Sequence, residues 1–336
     1  MLERRTIALS TLGLLGLALG CGDDGPAPAG EGTTAASTTT VASTSADTTA
    51  GSTTAGSGES ESSTGSPPTG FGPLGPLVGP GGEGSFRFGT ASAATQIEDQ
   101  NPTVDWYRWS LPVAEGGLGN GTFIGDAARG YTMAEADVAL LTELGLDSYR
   151  FSLEWARIEP QRDVIDEDAL AHYDAVIDAL LAAGIRPMIT VHHFSNPIWV
   201  DDPADTDCVA GPSDDNLCGW DHATGGPLVA EELGEHAALL AERFGDRVDE
   251  WGTLNEPINY LLAAYGLGVF PPGKDGLLAD PEGVFVAATR SYVAGHAAVY
   301  HAIKDGDVTD GDGDGVAAAV GLTMGAVEWV PARANA

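Results

Sequence analysis

From about residue 86 onward, short apolar runs alternate with longer amphipathic ones, and that alternation leaves few folds open. The apolar runs lie at 86–89, 148–152, 188–192, 250–254 and 316–324. Between them, 133–144, 166–183, 228–244 and 284–303 carry Ala, Val and Leu at helical spacing. The second of these opens on acids and stops before Gly184, as a helix should. Strands separated by helices need crossover connections, so the sheet is expected to be parallel. Polar residues gather at the carboxyl ends of the strands. Gln96 lies a little beyond the first, Arg150 within the second, His193 at the third, and Asn255 and Glu256 at the fourth. A (β/α) barrel places its chemistry at that end.

The sharpest single motif is Trp251-Gly252-Thr253-Leu254-Asn255-Glu256-Pro257. It reads as a buried strand ending in an amide, a carboxylate and a proline. Asn-Glu-Pro alone could equally be a turn that caps a helix, since Asn and Pro are ordinary turn residues. The order of the other motifs decides between the two readings. Phe86-Arg87-Phe88-Gly89-Thr90-Ala91-Ser92-Ala93-Ala94-Thr95-Gln96-Ile97-Glu98 lies upstream, then Tyr149-Arg150-Phe151-Ser152-Leu153-Glu154-Trp155-Ala156-Arg157-Ile158. Thr190-Val191-His192-His193-Phe194-Ser195-Asn196-Pro197 follows, and Gly268-Val269-Phe270-Pro271-Pro272-Gly273 comes after the glutamate. In this order and spacing the sequence resembles glycoside hydrolase family 1, the β-glucosidase family, over about residues 84 to 330.

The resemblance implies a (β/α)8 TIM barrel that hydrolyses terminal β-linked glycosides with retention and without a cofactor. Glu256 matches the acid/base, which must carry a proton to the leaving group. Asn255 matches the residue that bonds the sugar 2-hydroxyl. Gln96 and His193 match positions that bind other sugar hydroxyls. Phe194 stands where many members have Trp, which keeps an apolar wall and removes an indole donor. Arg150 matches a position beneath the nucleophile. The expected partner is a β-linked saccharide or glycoside. Another retaining glycosidase of the same clan, such as an endoglucanase, shares Asn-Glu at the fourth strand, but the Gln96 and His-His-Phe segments favour family 1.

Five strands are counted where a closed barrel of this class has eight. Retaining hydrolysis needs a second carboxyl group about 5–5.5 Å from the first. In family 1 that nucleophile lies near the seventh strand in a Glu-Asn-Gly motif, and this sequence contains none. Glu328 comes too early in the chain to replace it. The sequence is therefore expected to be a barrel truncated after about the fifth strand, through a partial sequence or a disrupted gene. An alternative function is that of an inactive sugar-binding remnant.

The ends carry different information. Residues 1–21 have Arg4 and Arg5, an apolar run and Gly20-Cys21, the pattern of a secretory signal. Ala18-Leu19-Gly20-Cys21 resembles a bacterial lipoprotein cleavage site, with Ala18 where Leu is usual, so Cys21 is expected to carry lipid. Ordinary cleavage with an incidental thiol is the alternative. Residues 22–82 are Thr, Ser, Ala, Gly and Pro with scattered acids. They cannot bury enough surface to offset their ordering entropy and read as a disordered linker. The barrel is assigned to 83–336, and the protein to the cell envelope, exported and tethered to a membrane. Cys208 and Cys218 flank a polar loop, and export favours a disulfide between them over two free thiols.

Acidic residues outnumber basic ones 49 to 15, for a net charge of −34. Such a surface repels nucleic acid and suits a neutral substrate. Asp310-Gly311-Asp312-Gly313-Asp314-Gly315 looks like the start of a calcium loop. The bidentate Glu expected at its twelfth position is Gly321, so it reads as a solvated turn and no metal is expected.

Overall fold

The computed structural model describes residues 87–325, apart from 281, 282, 312 and 314, together with a two-residue antiparallel pairing of Val78–Gly79 with Gly82–Glu83. The chain divides into Met1–Thr69 and Gly70–Ala336. The signal segment, Cys21, most of the linker, Phe86 and Glu328 lie outside the described residues.

The folded part is built on a five-stranded sheet. Its strands are β1 (Gly89–Ala91), β2 (Ser148–Ser152), β3 (Arg186–His192), β4 (Glu250–Asn255) and β5 (Ala319–Thr323). They pair in chain order and every pairing is parallel. Ala91 sits beside Arg150, Arg150 beside Met188, and His192 beside Leu254. The register keeps the carboxyl ends together, which is what brings the polar residues onto one face. Between Gly252 and Asn255 the β4–β5 register shifts, setting Asn255 opposite Thr323.

The first strand forms later than the apolar run at 86–89 implies. Phe88 is exposed, and the ladder begins at Gly89. A Cβ at Gly89 would lie 2.6 Å from the Ser148 carbonyl oxygen, so glycine is what lets the two backbones close. The fifth strand is shorter than 316–324, and the other three agree with their runs to within a few residues.

The four long helices are α1 (Ala134–Glu143), α2 (Glu167–Ala182), α3 (Gly225–Phe244) and α4 (Val284–Gly306). Asp166 caps α2 by accepting from the N–H groups of Asp168 and Ala169, both at 3.0 Å. Gly184, at φ +74°, takes up the left-handed turn that releases the chain into β3. Helices α3 and α4 pack closely because Gly234 faces Ala298, where a Cβ would come within 2.9 Å. Ile189, Trp251 and Leu254 from the sheet meet Leu233, Leu240, Phe244, Tyr292, Val299 and Ile303 from these helices in one buried core. Asp310 accepts from the N–H groups of Gly313 and Gly315, consistent with a turn. No helix among the described residues is long and apolar enough to cross a membrane.

Candidate active site

Glu256 is the first residue after β4 and takes a left-handed conformation, φ 40° and ψ 59°. Pro257 then opens the short helix Pro257–Leu261, with its ring at a position that needs no N–H donor. The Glu256 N–H donates to the Thr323 carbonyl at 2.8 Å, extending the β4–β5 contact by one residue. Its carbonyl accepts from the N–H groups of Asn259 and Tyr260. Its carboxylate accepts from Asn259 Nδ2 at 3.0 Å. Gly325 lies against that carboxylate, since a Cβ there would sit 3.0 Å from Oε1.

Asn255 is buried, and its Oδ1 accepts from the Arg150 guanidinium at 2.6 Å. Arg150 also donates from Nε to Thr190 Oγ1 at 2.8 Å. A guanidinium only donates, so it fixes the Asn255 amide with oxygen toward Arg150 and leaves the NH2 to donate elsewhere. Burial pulls the Arg150 pKa down, and the Glu256 charge opposes that shift.

His193 follows β3. Burial, then the Arg150 charge, then His192 push its pKa down to about 3, so at neutral pH the ring is neutral. Its buried Nδ1 has no partner among the described residues. Phe194 has φ +68°, and its ring lies nearly parallel to Tyr260, with centroids 6.0 Å apart. Phe270 stands 5.8 Å away, and Trp106 meets Phe270 edge-on at 4.8 Å while donating from Nε1 to the Phe194 carbonyl. Together these rings form an apolar wall.

Arg150, Asn255 and Glu256 are thus brought together, with His193 within reach of the Arg150 charge. Gln96 makes no hydrogen bond to them. It is exposed on the short helix Ala94–Ile97, with no side-chain partner among the described residues. Its neighbour Thr95 donates to the buried Glu154 at 2.7 Å. Cys208 and Cys218 are bonded, with Cα atoms 5.6 Å apart.

Several side chains that shape this face carried no weight in the motif reading. Asn259 could have been found, because three residues after Glu256 on a helix it must lie beside it. Glu154 could also have been found, as a carboxylate just past the end of β2. Asn196 could not, because its partners come from distant segments. The one acidic cluster among the described residues with metal-like spacing is Glu159, Asp163 and Glu232, within 4.8 Å of one another. Two of its three carboxylates already have partners: Arg162 bonds Glu232, while Trp155 and the Asp163 N–H bond Glu159.

The family model for glycosyl hydrolase family 1 matches residues 83–334. The chain belongs to glycosyl hydrolase family 1. Its fold is that of the family's (β/α)8 barrels, and the described residues supply five parallel strands of one. Among family 1 relatives, beta-glucosidase 12 of Arabidopsis thaliana is 31% identical over 225 residues, 63% of this chain and 40% of that protein. Lactase/phlorizin hydrolase of Rattus norvegicus is 34% identical over 219 residues, 63% of this chain and 10% of that protein. The family 1 β-glucosidase from Thermotoga maritima superposes with a TM-score of 0.59 at 25% identity, covering 75% of this chain and 50% of the other. A β-glycosidase from Pyrococcus horikoshii gives 0.56 at 26% identity, covering 71% and 47%. The chain therefore spans about half the length of these solved family 1 structures, and less of the curated relatives.

Proposed function

We propose that this chain carries the acid/base half of a retaining β-glycosidase site, with Glu256 as the group that protonates the leaving oxygen. The observation that carries this reading is the Arg150–Asn255–Glu256 constellation at the carboxyl end of a family 1 sheet. Asn255 presents its NH2 to the sugar 2-hydroxyl, where contacts strengthen in the transition state. His193, neutral and with Nδ1 unpartnered, bonds a further hydroxyl. Gln96 bonds another when sugar fills the face. Phe194 and Phe270 provide apolar surface for a ring. The substrate class is a terminal β-linked glycoside, of the kind the names of the β-glucosidase relatives describe.

A second reading has one specific observation behind it. The 336 residues contain no Glu-Asn-Gly motif, the segment that the family resemblance associates with the nucleophile. On that ground we propose that the 336-residue chain binds sugar but turns it over poorly, because residues acting as a unit lose far more than their share when one is missing. Calorimetry with deoxynojirimycin and release of aryl alcohol from an aryl β-glucoside test both readings, with wild type beside Glu256→Gln. Sugar binding with near-background release is the expected result. Robust release that depends on Glu256 and retains the anomeric configuration would overturn the second reading. Absence of binding would overturn the first.

A further inference from the structure

One buried side chain outside the sugar-facing set joins the turns that carry it. Asn196 is fully buried. Its Nδ2 donates to Asp105 Oδ2 at 3.1 Å and to the Tyr260 hydroxyl at 2.9 Å. Its Oδ1 accepts from Trp220 Nε1 at 3.3 Å and lies 3.2 Å from His192 Nε2. Indole can only donate, which fixes the amide orientation and makes His192 a donor from Nε2. Tyr292 then donates to His192 Nδ1 at 2.9 Å. Both amide protons and both oxygen lone pairs are in use, and the Asn196 carbonyl also accepts from the Asp105 N–H at 2.9 Å.

Two of these partners stand beside the turns of the site. His192 precedes His193. Tyr260 closes the first turn after Glu256, its N–H donating to the Glu256 carbonyl at 3.1 Å. On the other side of Asn196, Ser195 donates to Glu154, which also holds Thr95, the neighbour of Gln96. Phe194, in its left-handed conformation, is held between His193 and this pair. A network whose polar atoms are all satisfied resists displacement, because any shift leaves a buried donor or acceptor without a partner.

We propose that Asn196 is a positioning residue that sets the separation of the His193 turn from the Glu256 turn and so tunes sugar affinity. This rests on reading those residues as the sugar-binding face. The alternative is that the network merely stabilises the core, and affinity distinguishes the two. Tyr260→Phe keeps the ring and removes the bond between Asn196 and the Glu256 helix, together with the hydroxyl's bond to Tyr265. Asn196→Leu removes every side-chain bond of the hub. Leu180→Ala, buried in α2 where its carbonyl meets the start of β3, serves as a control that lowers stability at the opposite end of the sheet.

The measurements are melting temperature, deoxynojirimycin affinity well below melting, and crystal structures of wild type and Tyr260→Phe, all on the full chain. The expected result is roughly tenfold weaker binding in Tyr260→Phe, as for loss of buried hydrogen bonding at one hydroxyl. A larger loss is expected in Asn196→Leu, and wild-type affinity in Leu180→Ala. Unchanged affinity in Tyr260→Phe, or an equal loss in Leu180→Ala, overturns the proposal. If Asn196→Leu does not fold, Tyr260→Phe alone decides. If wild type binds no iminosugar, the functional reading fails and the crystal structures decide the positional claim. His193 and Glu256 unmoved in Tyr260→Phe would then overturn it.

Discussion

Single buried ionisable groups set how this chain responds to pH. Glu98 is wholly buried beside Arg157 and Tyr173, and burial raises its pKa from 4.5 to about 7 against the Arg157 charge. A carboxyl group with a raised folded-state pKa contributes stability that is full below the unfolded value. That stability is lost as pH climbs through the folded value. Relative to Glu98→Gln, wild type should therefore lose stability between about pH 4.5 and 7 and stay level above that. Denaturant titrations of both proteins from pH 4.5 to 8 check this, and a pH-independent difference would contradict it. His192, His193 and His236 act at the other limb. Burial lowers them to about 4, 3 and 3, so the unfolded chain takes up protons that the folded one refuses, and stability falls as pH drops below 6.5.

Among the elements, the α3–α4 contact and the disulfide loop make opposite demands on the chain. Gly234 lies inside α3, where alanine would gain about 1 kcal/mol of helix propensity. Its Cβ would press within 2.9 Å of Ala298, on a helix already packed against the sheet. Overpacking typically costs about 1–3 kcal/mol, so Gly234→Leu is expected to melt lower than wild type despite the better helix former. An unchanged or raised melting temperature would show that the helices can separate at little cost. The Cys208–Cys218 bond closes a short loop, and its reduction should cost about 2–3 kcal/mol. Peptide mapping without reductant should recover the two cysteines joined, and recovery of both as alkylated free thiols would contradict that. The alternation of apolar runs was enough to find β3 and β4 because most of their residues are buried, while β2, half-buried through Arg150, carries the signal only at Tyr149 and Phe151. The start of β1 was misplaced because its pairing depends on Gly89 approaching Ser148, a close contact that hydropathy does not encode. Within the site, Asn255, Glu256 and His193 were legible as polar residues at strand ends. Asn196 was not, since its role depends on Asp105, Tyr260 and Trp220 arriving from other parts of the chain.

For the whole molecule, two features matter: the Cys21 segment, and the strained backbone at the carboxyl end of the sheet. If Cys21 is the anchor its surroundings suggest, mass spectrometry of the mature protein should find it lipidated at the new N-terminus. An unmodified terminus elsewhere would defeat the expectation. Phe194 and Glu256, at the ends of the adjacent strands β3 and β4, both hold φ angles that side-chain-bearing residues avoid. Glycine would adopt either conformation freely, releasing on the order of 1 kcal/mol at each position. An aromatic ring at one point and a carboxyl group at the other therefore each sit on a standing backbone cost, one that only the contacts of those two side chains can offset.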